Sequence, residues 1–253
     1  MFQKAAYCIN AYFVYVFQHF WLTSCLCCAI LKLTTCQRKG NGFVPKDSIE
    51  LMRARKEEII HAFEQLFQEK SVRNISMREI GAKTSFTRSS IYNYFQTKEE
   101  IQLGLTIREF TAWKDALQKI SEGKSMTTSQ FAEAIAASLA DREQFIKLIS
   151  WNHYEIEENS RPERLAEMQQ VTYEAMHLFI ICVKKALPHF SKEETQGFML
   201  DFFTYLYGID CFIQVSSKQQ KALKLGDIPY HPVSIHDAVY GFILRYFKQE
   251  ELQ

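Results

Sequence analysis

The chain has 253 residues, of which 47% are hydrophobic and 23% charged, so it can bury a substantial core and is not a disordered polypeptide. Its 9 glycines and 5 prolines are too few for the many tight turns of an all-β sandwich or barrel. The 30 basic and 29 acidic side chains nearly cancel, leaving a net charge of +1. Any affinity for nucleic acid must therefore come from a local basic patch.

Residues 1–50 form an apolar leader that differs in composition from the rest of the chain. From Ala5 to Leu31 there is no Asp, Glu, Lys or Arg, and this run exceeds the roughly 20 apolar residues of a membrane-spanning helix. Three interpretations stay open: translation from a mis-assigned start upstream of Met52, a membrane anchor, or a signal segment. Because helical patterning begins only near Arg53, we expect the leader to stay outside the folded unit.

After Met52 the sequence predicts one helix after another and no strand. Apolar residues recur every three or four positions in the first helix, at Ile59, Phe63, Leu66 and Phe67. Capping boxes of the type Ser/Thr-x-x-Glu predict helix starts at Ser76, Thr97 and Ser191. Further helices are predicted for residues 128–140, 141–154, 162–187, 191–216 and 234–248. The predicted fold class is therefore all-α.

Residues 76–100, with the sequence SMREIGAKTSFTRSSIYNYFQTKEE, predict a helix-turn-helix. A short helix over residues 77–83 meets a tight turn, and a second short helix opens at Thr87. Ile91 and Phe95 lie four residues apart and share the inward face, whereas Ser89 and Asn93 lie on the opposite, outward face. A helix that is held by two apolar residues and presents small polar groups outward is suited to the major groove of DNA.

Three basic side chains, Lys83, Arg88 and Lys98, fall between residues 83 and 98 with no acid among them. The pattern F-T-R-x-S-I-Y-x-Y-F-x-x-K-E-E-I within residues 53–105 resembles the DNA-binding signature of TetR/AcrR-type transcriptional regulators. That resemblance implies a homodimer in which each chain has a three-helix head, residues 51–98, and a larger helical body, residues 99–253, for effector binding and dimerisation. One position departs from the family pattern: Ser85 replaces the usual turn glycine, so either the serine is left-handed or the turn differs.

The resemblance also implies residue roles. Phosphate contacts would come from Thr87, Tyr92, Tyr94 and Lys98, and base contacts from Arg88, Ser89, Ser90 and Asn93. The full set of predicted DNA-binding residues is Ser76, Thr87, Arg88, Ser89, Ser90, Tyr92, Asn93, Tyr94 and Lys98.

The body is rich in aromatic residues, which form either a packed core or the lining of an effector pocket. The candidate lining residues are Trp113, Trp151, Tyr154 and Phe179. The last two long helices, about 191–216 and 234–248, are expected to form the dimer interface. Two sets of apolar residues are predicted to line it: Phe198, Phe202, Tyr205, Ile209 and Phe212 on the first helix, and Ala238, Tyr240, Phe242, Ile243 and Phe247 on the second.

The sequence as a whole predicts a DNA-binding transcriptional regulator without enzymatic activity or cofactor: a repressor of a palindromic operator, released by a small hydrophobic or aromatic effector. It has no nucleophile elbow, P-loop or dinucleotide fingerprint, and its histidines lack metal-ligand spacing. Single cysteines in apolar stretches, Cys182 and Cys211, suit a reducing compartment and a cytoplasmic location. The alternative is a membrane-anchored helical regulator or scaffold without an effector, which requires the leader to be genuine.

Overall fold

The computed structural model of the chain describes residues 46–150, 153–213 and 215–248. Residues 1–45 of the leader, Trp151 and the side chain of Tyr154 lie outside this description, whereas residues 46–50 of the leader already belong to the first helix, earlier than the predicted start near Arg53. The chain divides into two compact units, residues 1–53 and 54–253. Within the described part of the chain, no helix is both long and apolar enough to cross a bilayer.

The described residues form helices joined by turns, without any strand, which confirms the all-α prediction. A short 3₁₀ helix, Val72–Asn74, follows the first helix. In chain order the α-helices are α1 (Lys46–Glu69), α2 (Met77–Ala82), α3 (Arg88–Ile91), α4 (Lys98–Glu122), α5 (Thr128–Leu139), α6 (Glu143–Ile149), α7 (His153–Glu158), α8 (Pro162–Ala186), α9 (Lys192–Gly208), α10 (Asp210–Ile213), α11 (Ser217–Leu225) and α12 (Ile235–Lys248).

Two of the three predicted capping boxes are complete in the structure. Reciprocal capping boxes are present at Ser76 and Ser191, as predicted. Thr97 accepts a hydrogen bond from the N–H of Glu100, but the Glu100 carboxylate does not return to Thr97. Instead it accepts hydrogen bonds from the N–H of Gln96 and from Arg161, so the predicted third capping box is only half formed.

Two predicted helices are interrupted. The segment 141–154 divides into α6 and α7, and the segment 191–216 divides into α9 and α10 after Gly208, a residue of low helix propensity. Helix α11 was not predicted because its sequence, SKQQKALKL, has no regular apolar face. None of its residues is buried.

A cluster of buried side chains in the head and a pair of packed helices in the body position the functional elements. The head cluster joins α1, the helix-turn-helix and the start of α4, and it includes one residue from α6, Leu148. In the body, α4 and α8 pack side by side and run parallel. Their contacts proceed along both helices in the same order, from Glu100 with Arg161, through Lys114 with Glu174, to Ser121 with Lys185.

Candidate nucleic-acid interface

Helices α2 and α3 approach each other at a glycine. A Cβ atom added to Gly81 would lie 3.2 Å from Cβ and 3.3 Å from Cα of Arg88, the first residue of α3. Such contacts are tighter than ordinary packing allows, so the absent side chain permits the close crossing. The crossing brings the start of α3 against the end of α2, which is the arrangement of a helix-turn-helix.

The turn between these helices is held by an acid from α1. The Glu58 carboxylate accepts hydrogen bonds from both the N–H and the hydroxyl of Ser85, the latter at 3.1 Å. Among the described non-glycine residues, the one with a positive φ angle is Asp227, so Ser85 keeps an ordinary backbone conformation. The turn therefore differs from one built on a left-handed glycine, and this resolves the two options that the sequence left open.

The inward face of α3 and its following turn is apolar, as predicted. Ile91 is 0% exposed and Phe95 is 2% exposed, and both belong to the head cluster. Phe86, which precedes α3, packs against the same cluster. We define the recognition helix as α3 with the following turn to Tyr94. Burial of the apolar side chains on its inward face holds it against the head cluster.

Small polar side chains occupy the outward face. The Thr87 hydroxyl lies 2.9 Å from that of Ser89 and 3.0 Å from that of Ser90, and it makes no side-chain cap to α3. Ser89 and Asn93 are both exposed. These groups are the hydroxyls and the amide that the sequence predicted to face DNA.

Arg88 and Tyr92 form a pair along this outward face. Arg88 Nη2 donates a hydrogen bond to the Tyr92 hydroxyl at 3.1 Å, and the guanidinium carbon lies 5.9 Å from the centre of the tyrosine ring. Tyr92 is 44% exposed, so its hydroxyl and one ring face are accessible from solvent. The pair places a positive charge and a phenol where a phosphate or a base edge can reach both.

The remaining predicted contacts are more enclosed. Tyr94 is half-buried, with its ring 6.4 Å from that of Phe86. The Lys98 ammonium donates to the carbonyls of Val72, at 3.0 Å, and Arg73, at 3.4 Å. A phosphate contact by Lys98 would therefore use its remaining N–H. The Ser76 hydroxyl is engaged in the capping box of α2.

Sequence reasoning missed one cation beside the turn. The guanidinium carbon of Arg55, on α1, lies 5.5 Å from the centre of the Phe86 ring. A cation over an aromatic face is stabilised by the ring quadrupole. The sequence offers no signal for this contact, because the two residues are 31 positions apart, one on α1 and the other in the turn before α3.

In the body, the two described candidates for an effector pocket lie in a closed cluster of rings. Trp113 and Phe179 are both 0% exposed, with ring centres 6.1 Å apart. The indole N–H of Trp113 donates to the Ser138 hydroxyl at 3.1 Å, so it is satisfied without a ligand. Their other ring neighbours are Phe110, Phe131, Phe145, Phe198, Phe202 and Phe203.

Two open grooves lie on the surface, one in the body and one at the boundary between head and body. The first, of about 310 Å³, runs between α4 and α8 and is lined by residues that include Lys114, Tyr173 and His177. The second, of about 520 Å³, lies where α1 meets α5 and α6, beside Phe67 and Lys147. Of the predicted pocket residues whose side chains the structure describes, neither Trp113 nor Phe179 lines either groove.

The predicted dimer face needs correction at the level of residues. Phe198, Phe202 and Ile209 are buried within their own chain, as are Ala238, Ile243 and Phe247 of α12. These side chains face inward because they pack into the apolar core of the body. Phe212, also predicted for this face, does stay exposed, and it continues an outward stripe of α9 and α10 with Leu200, Thr204 and Gly208, which are spaced four residues apart and are exposed.

This helix-turn-helix on a helical body defines the class of the protein as a DNA-binding regulator. Residues 59–103 match the family described as bacterial regulatory proteins, tetR family, and residues 107–244 match the Tetracyclin repressor-like, C-terminal domain. The chain belongs to the TetR family of transcriptional regulators. A crystal structure described as a TetR-family transcriptional regulator from Mesorhizobium loti MAFF303099 is 18% identical, with a TM-score of 0.48, over 77% of this chain and 97% of that chain. No curated protein matches the sequence.

Proposed function

We propose that this regulator binds a palindromic operator as a homodimer, with the recognition helix of each chain in the major groove. The observation that carries the proposal is the two-sided recognition helix: Ile91 and Phe95 are buried beneath it, and Ser89 and Asn93 are exposed above it. Asparagine can read adenine through two hydrogen bonds, and serine can bond to either kind of base edge. Arg88 and Tyr92 beside them supply groups suited to phosphates or bases.

The experiment that tests DNA binding is selection of duplexes from a random pool by the full chain, followed by sequencing. A dimer with two-fold symmetry should enrich an inverted repeat, because each head reads one half-site. Absence of any enriched sequence, with the protein folded by circular dichroism, would contradict the proposal. Enrichment of an asymmetric sequence would contradict its dimeric part.

The outward stripe supports dimerisation through α9. Leu200 is 44% exposed and Phe212 is 74% exposed, and the four stripe residues carry no charge, although the exposed Asp201 lies beside them. Thr204 and Gly208 are small enough to let a partner helix approach closely. We expect Leu200→Glu to shift the protein towards monomer in sedimentation and to weaken palindrome binding. The matched control is Ile181→Glu on α8, where the apolar side chain is 39% exposed but lies outside the stripe.

The proposal extends to regulation: the protein is a repressor, and a small hydrophobic or aromatic effector releases it from DNA. The ring cluster around Trp113 and Phe179 supports this effector class, because rings attract flat apolar ligands. Since these rings are fully packed, a ligand must displace side chains to bind among them. The ligand can then release the protein from DNA only if it binds the conformation that cannot bind DNA more tightly than the conformation that can.

Trp113 can report on such binding. The chain has three tryptophans, and the variant Trp21→Phe with Trp151→Phe leaves Trp113 as the sole emitter. A panel of aromatic acids, fatty acyl compounds and hydrophobic drugs should contain a ligand that changes its emission and releases the selected duplex over the same concentration range. A ligand that releases the duplex without changing the emission would place the effector site elsewhere. No response to any compound would favour a filled core.

A further inference from the structure

Hydrogen bonds and an ion pair connect the start of α8, in the body, to the start of α4, which follows the recognition helix. Arg161 donates to the two oxygens of Glu100, with Nε at 2.6 Å from Oε1 and Nη2 at 2.8 Å from Oε2. The Thr97 hydroxyl, at the N-cap of α4, donates to the carbonyl of Asn159 at 2.8 Å. Residues of the loop before α8 thus contact both the N-cap and the first turn of α4.

Glu100 is the centre of this connection. Its side chain is 0% exposed, and its carboxylate also accepts hydrogen bonds from the N–H groups of Arg161, at 3.1 Å, and Gln96, at 2.9 Å. Burial by itself would raise the pKa of Glu100, but the Arg161 guanidinium and the two N–H groups outweigh it and hold that pKa below its ordinary value. These partners hold the buried carboxylate in one position. A displacement of Arg161 would remove its guanidinium partner and leave a buried negative charge without a compensating positive charge, which is costly.

Two arginines of the body reach the end of the recognition helix itself. Arg164 Nη2 donates to the carbonyl of Tyr94 at 3.1 Å, and Arg161 Nη2 lies 3.4 Å from the same oxygen. The guanidinium carbon of Arg164 lies 5.1 Å from the centre of the Phe95 ring. These contacts adjoin Asn93, which the proposed function assigns to base reading.

We infer that Arg161 and Arg164 are positioning residues for DNA recognition, which they serve by fixing the angle at which the body presents the recognition helix. We call Glu100, Arg161 and Arg164 the head–body latch, because the two arginines bond to the carbonyl of Tyr94 in the head and Glu100 holds Arg161 in place. Through the latch, the body of a dimer would set the distance between its two heads. This inference rests on the proposed function, and it adds the residues that determine half-site spacing.

The distance between the half-sites that the dimer accepts distinguishes a positioning role of the latch from a purely stabilising role. One extra base pair between half-sites moves one of them by about 3.4 Å along the duplex and rotates it by about 35°. A dimer whose heads are held rigidly cannot follow this displacement, so its affinity must fall. A dimer whose heads are loosely held can follow, at the expense of affinity for the best spacing.

The test compares two latch variants with a matched control. Arg164→Met removes a donor to Tyr94 without leaving a buried charge, because its acidic partner Glu167 is 53% exposed. The double variant Glu100→Gln with Arg161→Gln replaces the buried ion pair by neutral amides. The control is Lys114→Met, which removes an ion pair of 2.8 Å between the same two helices, α4 and α8, at a distance from the head.

Affinity is measured for the selected duplex and for duplexes whose half-sites are one base pair closer or further apart. We expect the wild type and Lys114→Met to bind the shifted duplexes much more weakly than the selected one. In both latch variants the ratio of the affinity for the selected duplex to the affinity for a shifted duplex should fall towards one. The latch variants should also bind the selected duplex more weakly than the wild type does. Latch variants with native circular dichroism and an unchanged ratio would overturn the inference; if the double variant does not fold, Arg164→Met decides alone. If the wild type selects no duplex, the proposed function fails instead.

Discussion

Replacing Leu148 by alanine tests how closely the stability of the head depends on the body. Leu148 lies on α6, yet its side chain is 1% exposed and belongs to the same buried cluster as Ile91 and Phe95. Removing its three terminal carbons opens a cavity beneath the head. Changes of this kind cost about 2–5 kcal/mol, and near-complete burial favours a loss within that range for Leu148→Ala.

The assay is urea unfolding at one fixed protein concentration, because the stability of a dimer depends on concentration. In the Trp21→Phe, Trp151→Phe background, far-UV circular dichroism and Trp113 fluorescence should report one transition at a lower midpoint with an unchanged slope. Leu139→Ala is the matched control, since Leu139 is 0% exposed and lies on α5, outside the head cluster. We expect a similar loss of stability, but only Leu148→Ala should weaken binding to the selected duplex. A loss below about 0.5 kcal/mol, as for surface substitutions, would refute the reasoning. So would separate transitions for the two probes.

The other predictions concern DNA contacts and pH. If Arg88 neutralises one phosphate, Arg88→Ala should reduce the slope of log affinity against log salt concentration by about 1. Tyr92→Phe should weaken binding without changing that slope, because it removes no charge. Equal slopes for the two variants would contradict this assignment. Asn93→Ala should relax preference at one base position by about 1–3 kcal/mol, and an equal loss on every sequence would show that Asn93 does not read bases. The hydrogen bond to Glu133 raises the pKa of His236, so this pair stabilises the fold at pH values below the ordinary histidine pKa, and the contribution is lost as pH rises through the raised value. The stability difference between wild type and His236→Gln should therefore shrink from pH 5 to pH 9, and a difference that grows would contradict the assignment.

The recognition helix could be predicted from sequence because local spacing determines it. Ile91 and Phe95 are four residues apart, so one of them cannot be buried without bringing the other to the same face. The capping boxes at Ser76 and Ser191 are likewise complete within four residues. Their physical causes lie within one or two helical turns, and the sequence displays them directly.

Contacts between distant residues could not be predicted in this way. Glu100 has the spacing of a capping box with Thr97, but the stronger guanidinium partner, 61 residues away, takes its carboxylate. Ser85 depends on Glu58 in the same manner. The dimer face was assigned from periodicity, which identifies an apolar stripe but does not say whether the stripe faces its own core or a partner. Phe198 and Phe202 face the core.

Hydroxyl-radical footprinting of the selected duplex measures most directly whether two recognition helices lie on successive major-groove faces. The predicted result is two protected backbone regions related by two-fold symmetry, with half-site centres about 34–36 Å apart or a multiple of that distance. A dimer variant weakened by Leu200→Glu should lose both regions together. A single protected region, or uniform weak protection along the whole duplex, would contradict the account.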